Sequence, residues 1–300
     1  MFRFALAVLS VSCAVASACS ANAAETPSRA TESTTLRMVV MDPLAKELSC
    51  PCVQGYAQRD YTQLANYLES KLGVPVEVIF SESLIKALKD VPEGRADIVI
   101  GKRSVVEHDA RRAELGMHYA GSLTGKDGKT TQFGMLVVRT TDKASKVADL
   151  VGYKIYFGPE ESDEKHAAAV ALLKLHRVTL PAKLETVAGC EEGATAILEM
   201  GPSENGAAVI SSYAHPLLEG CGAVPKGAIR VVAETEPVPF VTAFVSDRLS
   251  VERRRQISEA LLDIDARPDL KLALETKRGF VSEDSAPAGA ATAAVDAKKK

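Results

Sequence analysis

Residues 61–80, YTQLANYLESKLGVPVEVIF, form the passage that decides the fold. Tyr61, Leu64, Ala65, Leu68 and Leu72 recur at spacings of three and four, which gathers apolar side chains on one face of a helix. Gly73 ends that helix, since glycine adopts the left-handed conformation of a helix terminus without steric penalty. Residues 74–80 then read as a β-branched strand. Backwards along the chain, residues 36–41 (LRMVVM) are another strand. Forwards come a short helix at 84–88, a strand at 97–100 and a helix at 105–115. Strand and helix alternate, so the pattern predicts an α/β fold whose mostly parallel sheet is flanked by helices.

The same grammar restarts after the glycine turn at 125–128. Strands are expected at 133–138 and 153–157, with a turn of helix at 147–150 between them. A helix with Ala168, Leu172 and Leu175 inward follows, then a strand at 184–187, a helix at 195–200, and strands at 207–210 and 229–233. Two similar halves result. The remaining strand at 241–245 and the amphipathic segments through Ile257, Leu261 and Ile264 and through Leu270 and Leu274 are too short for a third domain. They are expected to return to the first half. The domain reading is lobe one at 36–130 plus 241–284 and lobe two at 131–240, with hinge crossings near 131–133 and 237–242.

The ends read differently. Arg3, an apolar run to about Val15 and small residues up to Ala23 make residues 1–23 a secretory signal peptide; a permanent membrane span needs roughly 20 apolar residues. Small-x-small cleavage after Ala23 competes with a lipoprotein box acylated at Cys19, and Ala16 is smaller than the residue that usually opens such a box. The expected location is periplasmic or secreted. Residues 24–35 and 285–300 are polar or Ala/Pro/Lys-rich without apolar periodicity and read as a disordered linker and tail. Without Arg3, 35 of the chain's 36 basic residues face 39 acidic ones, and there is no Trp, which argues against nucleic-acid binding.

Several pieces carry a family resemblance. They are the 61–68 helix with Leu72-Gly73-Val74-Pro75-Val76, Gly94-Arg95-Ala96-Asp97-Ile98-Val99, Val137-Val138-Arg139, residues 147–154 (VADLVGYK), and the Phe157-Gly158 turn into a helix. In order and spacing, over roughly residues 36–281, the chain resembles a two-lobed type 2 periplasmic binding protein, and within that superfamily the phosphate/phosphite/phosphonate-binding (PhnD-like) components of ABC importers. The resemblance implies a monomeric binding protein with no cofactor. It would close about a hinge on a small molecule and present the closed form to a membrane permease.

Such a ligand sits beyond the carboxyl ends of strands and near helix starts. Candidate contacts are Asp42, Tyr56, Ser81, Ser83, Lys102, Arg103 and Ser104 in lobe one, and Ser162, Lys165, His166, Ser211, Ser212 and Tyr213 in lobe two. The chain departs from the family where phosphonate binders carry a Ser/Thr-rich helix start. Here residues 158–166 read GPEESDEKH, and only Ser162 remains of that hydroxyl cradle. A carboxylate about 7 Å from an anion costs roughly 2 kcal/mol at an effective dielectric near 20, against about 8 kcal/mol for micromolar binding. Either these acids complement a helix dipole and leave an oxyanion site intact, or they line the cleft and favour a cationic, zwitterionic or metal-bound ligand. Lys102, Arg103 and Lys165 supply opposing charge.

Four cysteines follow the leader: Cys50, Cys52, Cys190 and Cys221. In an oxidising compartment two disulfides are expected, with a Cys50–Cys52 bridge disfavoured by strain. The alternative is a soft-metal site for copper or zinc built from Cys50, Cys52, Cys190 and His166, or a redox role. His108, His118, His176 and His215 have no partner at ligand spacing. An enzyme is not expected, because no nucleophile elbow or phosphate loop is present. Gly101-Lys102-Arg103-Ser104 reads as a helix start capped by Ser104, with Glu107 completing a capping box. A ligand sensor for a signalling partner is the other binding role open to the same shape.

Overall fold

The computed structural model describes residues 35–49 and 58–283. The expected leader and tail, Cys50, Cys52 and Tyr56 lie outside the described residues. The first lobe begins with β1 (Leu36–Met41), α1 (Tyr61–Leu72), β2 (Val76–Phe80), α2 (Leu84–Asp90), β3 (Ile98–Lys102), α3 (Arg103–Arg112) and β4 (Met117–Leu123). After the crossing strand β5 (Thr131–Gln132), the second lobe contains β6 (Gly134–Arg139), β7 (Lys154–Phe157), α4 (Ala167–Leu175), β8 (Glu185–Thr186), α5 (Cys190–Glu199), β9 (Gly206–Ser211), α6 (Ala214–Gly220) and β10 (Ile229–Glu234). The chain returns through β11 (Val238–Pro239). Then β12 (Val241–Ser246), α7 (Val251–Leu262), α8 (Pro268–Ala273) and β13 (Phe280–Val281) join the first lobe.

The helix that opened the sequence argument forms as read. The Asp60 side chain caps it by accepting from Thr62 N, and Gly73, at φ 68°, donates its N–H to Glu69 O. Its apolar face, Tyr61, Leu64, Ala65 and Leu68, packs with Met38, Val40, Ile98 and Ile100 on one side of the first sheet. The alternate residues Val39, Met41 and Val99 face the other side, under Leu84, Ala87, Val106 and Ala110 of α2 and α3. The second sheet is likewise covered twice, by α4 on one face and by α5 and α6 on the other.

Strand order is β13-β4-β12-β3-β1-β2 in the first sheet and β10-β6-β9-β7-β8 in the second. Only β2–β1–β3 and β9–β7–β8 are parallel; every other pair in the two sheets is antiparallel. The sheets are therefore mixed, which corrects the expectation of mostly parallel ones. Helical crossovers join the parallel strands, whereas β6 and β12 enter their sheets straight from the inter-lobe crossings. Those crossings pair with each other, β5 with β11, as a two-stranded ribbon.

Three local expectations change. In α4 Ala169 and Leu173 are fully buried and Leu172 packs against the same core partly buried, as expected for it, whereas Leu175 is 77% exposed. Helix α5 starts at Cys190 rather than at Thr195. Helix α3 starts at Arg103, and its Lys102 cap position makes no side-chain cap bond. Ser104 Oγ donates instead to Glu161 O of the other lobe (2.7 Å), and Glu107 pairs with Arg103 (2.9 Å), so the expected capping box does not form.

Candidate ligand-binding site

Strands β1 and β3 run side by side and end together. At Gly101 a Cβ would lie 2.8 Å from that of Met41, so glycine permits the close approach that brings Lys102 to the end of β3. In the second lobe β9 ends in Ser211, and β7 ends in Phe157, which leads into the turn at 158–166. The two sets of strand ends meet. Lys102 Nζ donates across the cleft to Glu164 Oε1 (2.5 Å), and Ser211 Oγ donates to the same oxygen (2.7 Å). Ser211 N in turn donates to Cys190 Sγ (3.3 Å), at the start of α5. Tyr213 stacks on Phe240 (5.3 Å between centroids), Lys102 Nζ lies 5.4 Å from the Tyr213 ring and the Arg59 guanidinium 5.5 Å from the Phe240 ring. A layered wall of cation, ring, ring and cation thus spans the cleft.

Glu164 is fully buried, and its Oε2 has no partner among the described residues. Burial alone would raise its pKa, but the Lys102 charge and the hydrogen bonds from Lys102 and Ser211 outweigh this and hold it below the ordinary range. For Lys102 burial works downward, yet Tyr213, Glu164 and Cys190 together hold it above the ordinary lysine range. Tyr213 is pushed up to about 12 by burial. A lysine so firmly protonated cannot act as the base for Ser211.

The lobe contact therefore has a pH signature. With its folded pKa depressed, Glu164 contributes fully above its ordinary value of 4.5, and the contribution is lost as pH falls through the lower folded value. Asp163, raised by burial and by Glu164, acts in the opposite sense and partly offsets this. Small-angle scattering of the ligand-free protein should give one radius of gyration above the ordinary carboxylate value of 4.5 and a larger one as pH falls progressively below it. A constant radius at the acid end, in protein still folded by circular dichroism, would contradict this account.

A second buried network lies wholly within lobe one. Asp42 Oδ2 accepts from Arg59 Nη1 (2.8 Å) and Tyr61 Oη (2.6 Å), and Oδ1 from Leu44 N (3.0 Å). Asp42, Arg59 and Tyr61 are each at most 4% exposed. Burial pushes Tyr61 well above the ordinary tyrosine range, reinforced by the Asp42 charge.

The structure disperses the other residues named from sequence. Ser81 and Ser83 bond each other, and Ser83 Oγ donates to Asp109 (2.9 Å), which also receives Leu84 N at the start of α2. Arg103 turns to Glu107 and Glu283. Ser212 ties the crossing by accepting from Phe133 N. Ser162 and Lys165 are buried beside Glu164, with Lys165 Nζ donating to Ala188 O (3.4 Å). His166 Nδ1 lies 2.9 Å from Gly158 O. It lines a recess of about 750 Å³ between the lobes, with His108 and Arg112 on one side and Glu160, Glu161 and Lys183 on the other.

The acids at 160–164 precede α4 by enough that none lies in its first turn. Glu164 lines the cleft, which corrects the helix-dipole alternative for that residue. Cys190 and Cys221 are free thiols, which overturns the two-disulfide expectation at both positions. Each sulfur is taken up locally, Cys190 by Ser211 and Cys221 by Leu218 O. No group of three metal-ligating side chains occurs among the described residues, and the soft-metal alternative rests on Cys50 and Cys52 outside them. None of the described helices is long and apolar enough to cross a membrane.

No curated protein matches the chain by sequence. Among solved structures it is similar to XAC2383 from Xanthomonas citri bound to ATP, at 16% identity and TM-score 0.61 over 84% of this chain and 93% of that one. A binding protein component of an ABC phosphonate transporter from Pseudomonas aeruginosa shows 12% identity and TM-score 0.61, covering 83% and 82%. PhnD1 from Prochlorococcus marinus in complex with methylphosphonate shows 12% identity and TM-score 0.60, covering 83% and 92%. At these identities the likeness establishes the two-lobed fold. The family model described as the phosphonate periplasmic substrate-binding protein of ABC transporters matches residues 54–285, most of the chain. With two mixed sheets meeting at a buried polar contact, this chain belongs to the phosphonate-binding family of ABC-transporter substrate-binding proteins, which bind and do not catalyse.

Proposed function

We propose that this protein is the extracytoplasmic receptor of an ABC importer and captures a small oxyanion of the phosphonate or phosphate class between its lobes. One observation carries the ligand class. The donors that converge in the cleft, the Lys102 ammonium and the Ser211 hydroxyl, already hold an oxyanion, the Glu164 carboxylate. Charge-assisted donors of this kind recognise carboxylate, phosphonate and phosphate oxygens alike. The Lys165 ammonium is buried next to them, and the Tyr213–Phe240 stack offers an apolar wall for an organic substituent.

Of the residues singled out by sequence, Lys102, Ser162, Lys165, Ser211 and Tyr213 are assigned to the ligand, and Ser104 to the closed lobe contact through Glu161. The β5–β11 ribbon is the hinge, and the closed form is what the permease recognises. The test is a thermal-shift screen of the mature protein. Phosphate, phosphite and methylphosphonate, the last being the ligand of the Prochlorococcus structure, are expected to stabilise it. A ligand at about 100 times its dissociation constant adds about 2.7 kcal/mol. Stabilisation by amines alone, or by copper or zinc salts alone, would reject the oxyanion assignment.

A further inference from the structure

We propose that Glu164 is a built-in competitor that sets which anions the cleft accepts: in ligand-free protein its carboxylate fills the ligand's oxyanion position, and only doubly charged oxyanions displace it effectively. The inference deepens the oxyanion reading above and rests on it. Glu164 comes from lobe two, yet its acceptor oxygen is held by the lobe-one cation Lys102 as well as by Ser211. It does what a bound anion would do in such a cleft, bridging the lobes. The side chain is also held firmly in place. A Cβ at Gly134 would lie 2.0 Å from Glu164 O and one at Gly158 would lie 2.5 Å from Lys165 Cβ, so two glycines seat the turn against the second sheet. Ser104 secures the same turn to lobe one by donating to Glu161 O and accepting from Asp163 N.

The fit of this carboxylate is incomplete, and the mismatch gives the selectivity. Its Oε2 is buried without a partner among the described residues. Lys165 is 5% exposed and, among the described residues, donates only to a carbonyl at 3.4 Å, so two buried ammonium groups share one buried carboxylate. Asp163 does not make up the difference, since it is only half-buried and faces Glu107 and Arg111 of α3. A dianion in place of Glu164 would match both lysines and carry enough acceptor oxygens for the donors present. A monoanion of the same shape would merely exchange one unit of charge for another and would still have to free Glu164 from Lys102.

The experiment compares wild type with Glu164→Gln, which removes the charge and keeps the shape, and Glu164→Ala, which removes the side chain's reach to Lys102. Methylphosphonate, inorganic phosphate and methanesulfonate are titrated calorimetrically at one pH and ionic strength, with scattering on each ligand-free protein. Expected are at least about tenfold tighter binding of all three anions by both variants and measurable methanesulfonate binding only in the variants. Ligand-free Glu164→Ala should also have a larger radius of gyration than wild type. Equal affinities in wild type and variants, or weaker binding by both variants, would overturn the role of Glu164 while leaving the oxyanion reading standing. No binding of any of the three anions by any of the proteins would overturn both.

Discussion

Lys102→Met is expected to abolish measurable oxyanion binding, weakening it at least about a hundredfold, and to leave the ligand-free protein open. Loss of a charge-assisted bond together with the one side-chain cation bonded to the buried acceptor among the described residues accounts for a loss of at least about 2.7 kcal/mol. The stability effect is subtler. Removing one partner of a buried ion pair costs about 3–5 kcal/mol when the other charge stays buried and unpaired. Here the orphaned Glu164 belongs to the opposite lobe, so separation of the lobes returns it to water and caps the penalty at the free energy of opening. The melting temperature should therefore fall less than for a comparable pair inside one lobe, while the radius of gyration rises. Adding Glu164→Gln to Lys102→Met removes the stranded charge, and the double variant should melt above Lys102→Met alone. If Lys102→Met stays compact and binds methylphosphonate as wild type does, the cross-cleft pair has no functional role.

What made Lys102 legible in the sequence is different from what hid Glu164. Lys102 ends a strand whose neighbours were already identified by their β-branched runs, and in an α/β sheet such an end faces the ligand. Glu164 sits among Glu160, Glu161 and Asp163, and nothing local distinguishes it from them. Its burial is decided by Gly134 and by Lys102, 62 positions away, which are tertiary facts. The same distinction runs through the fold. Helix α1 and strand β1 follow from period and caps within their own segments. Strand β4 goes unread because MHYAGSL lacks a β-branched run, and it becomes a strand through pairing with β12 and β13. The Ser104 capping box is locally sound, but the hydroxyl finds a carbonyl of the other lobe instead. The place of Asp42 directly after β1 was readable in the sequence, whereas its bonds to Arg59 and Tyr61 were not.

Asp42→Ala therefore separates a ligand contact from a structural one, with the largest stability loss expected for any single change in lobe one. The carboxylate accepts three hydrogen bonds, from Arg59, Tyr61 and Leu44 N. Its loss leaves a guanidinium that remains charged at any accessible pH, 4% exposed and without its counter-ion. Unlike Glu164, this charge cannot escape by lobe opening, because Asp42 after β1, Arg59, and Tyr61 at the start of α1 all belong to one lobe. The full penalty of about 3–5 kcal/mol should appear, a fall of roughly 10 °C in melting temperature at about 2–4 °C per kcal/mol for a domain of this size. Tyr61→Phe removes one hydrogen bond to a charged acceptor and should cost about 1.5–3 kcal/mol. Both losses are measurable by urea denaturation with unchanged m-value. Methylphosphonate affinity at a temperature where Asp42→Ala is folded should remain within about threefold of wild type, less than 1 kcal/mol. The opposite pattern, unchanged stability with affinity lost, would return Asp42 to the ligand and place the cleft deeper in lobe one than the Lys102–Ser211 contact.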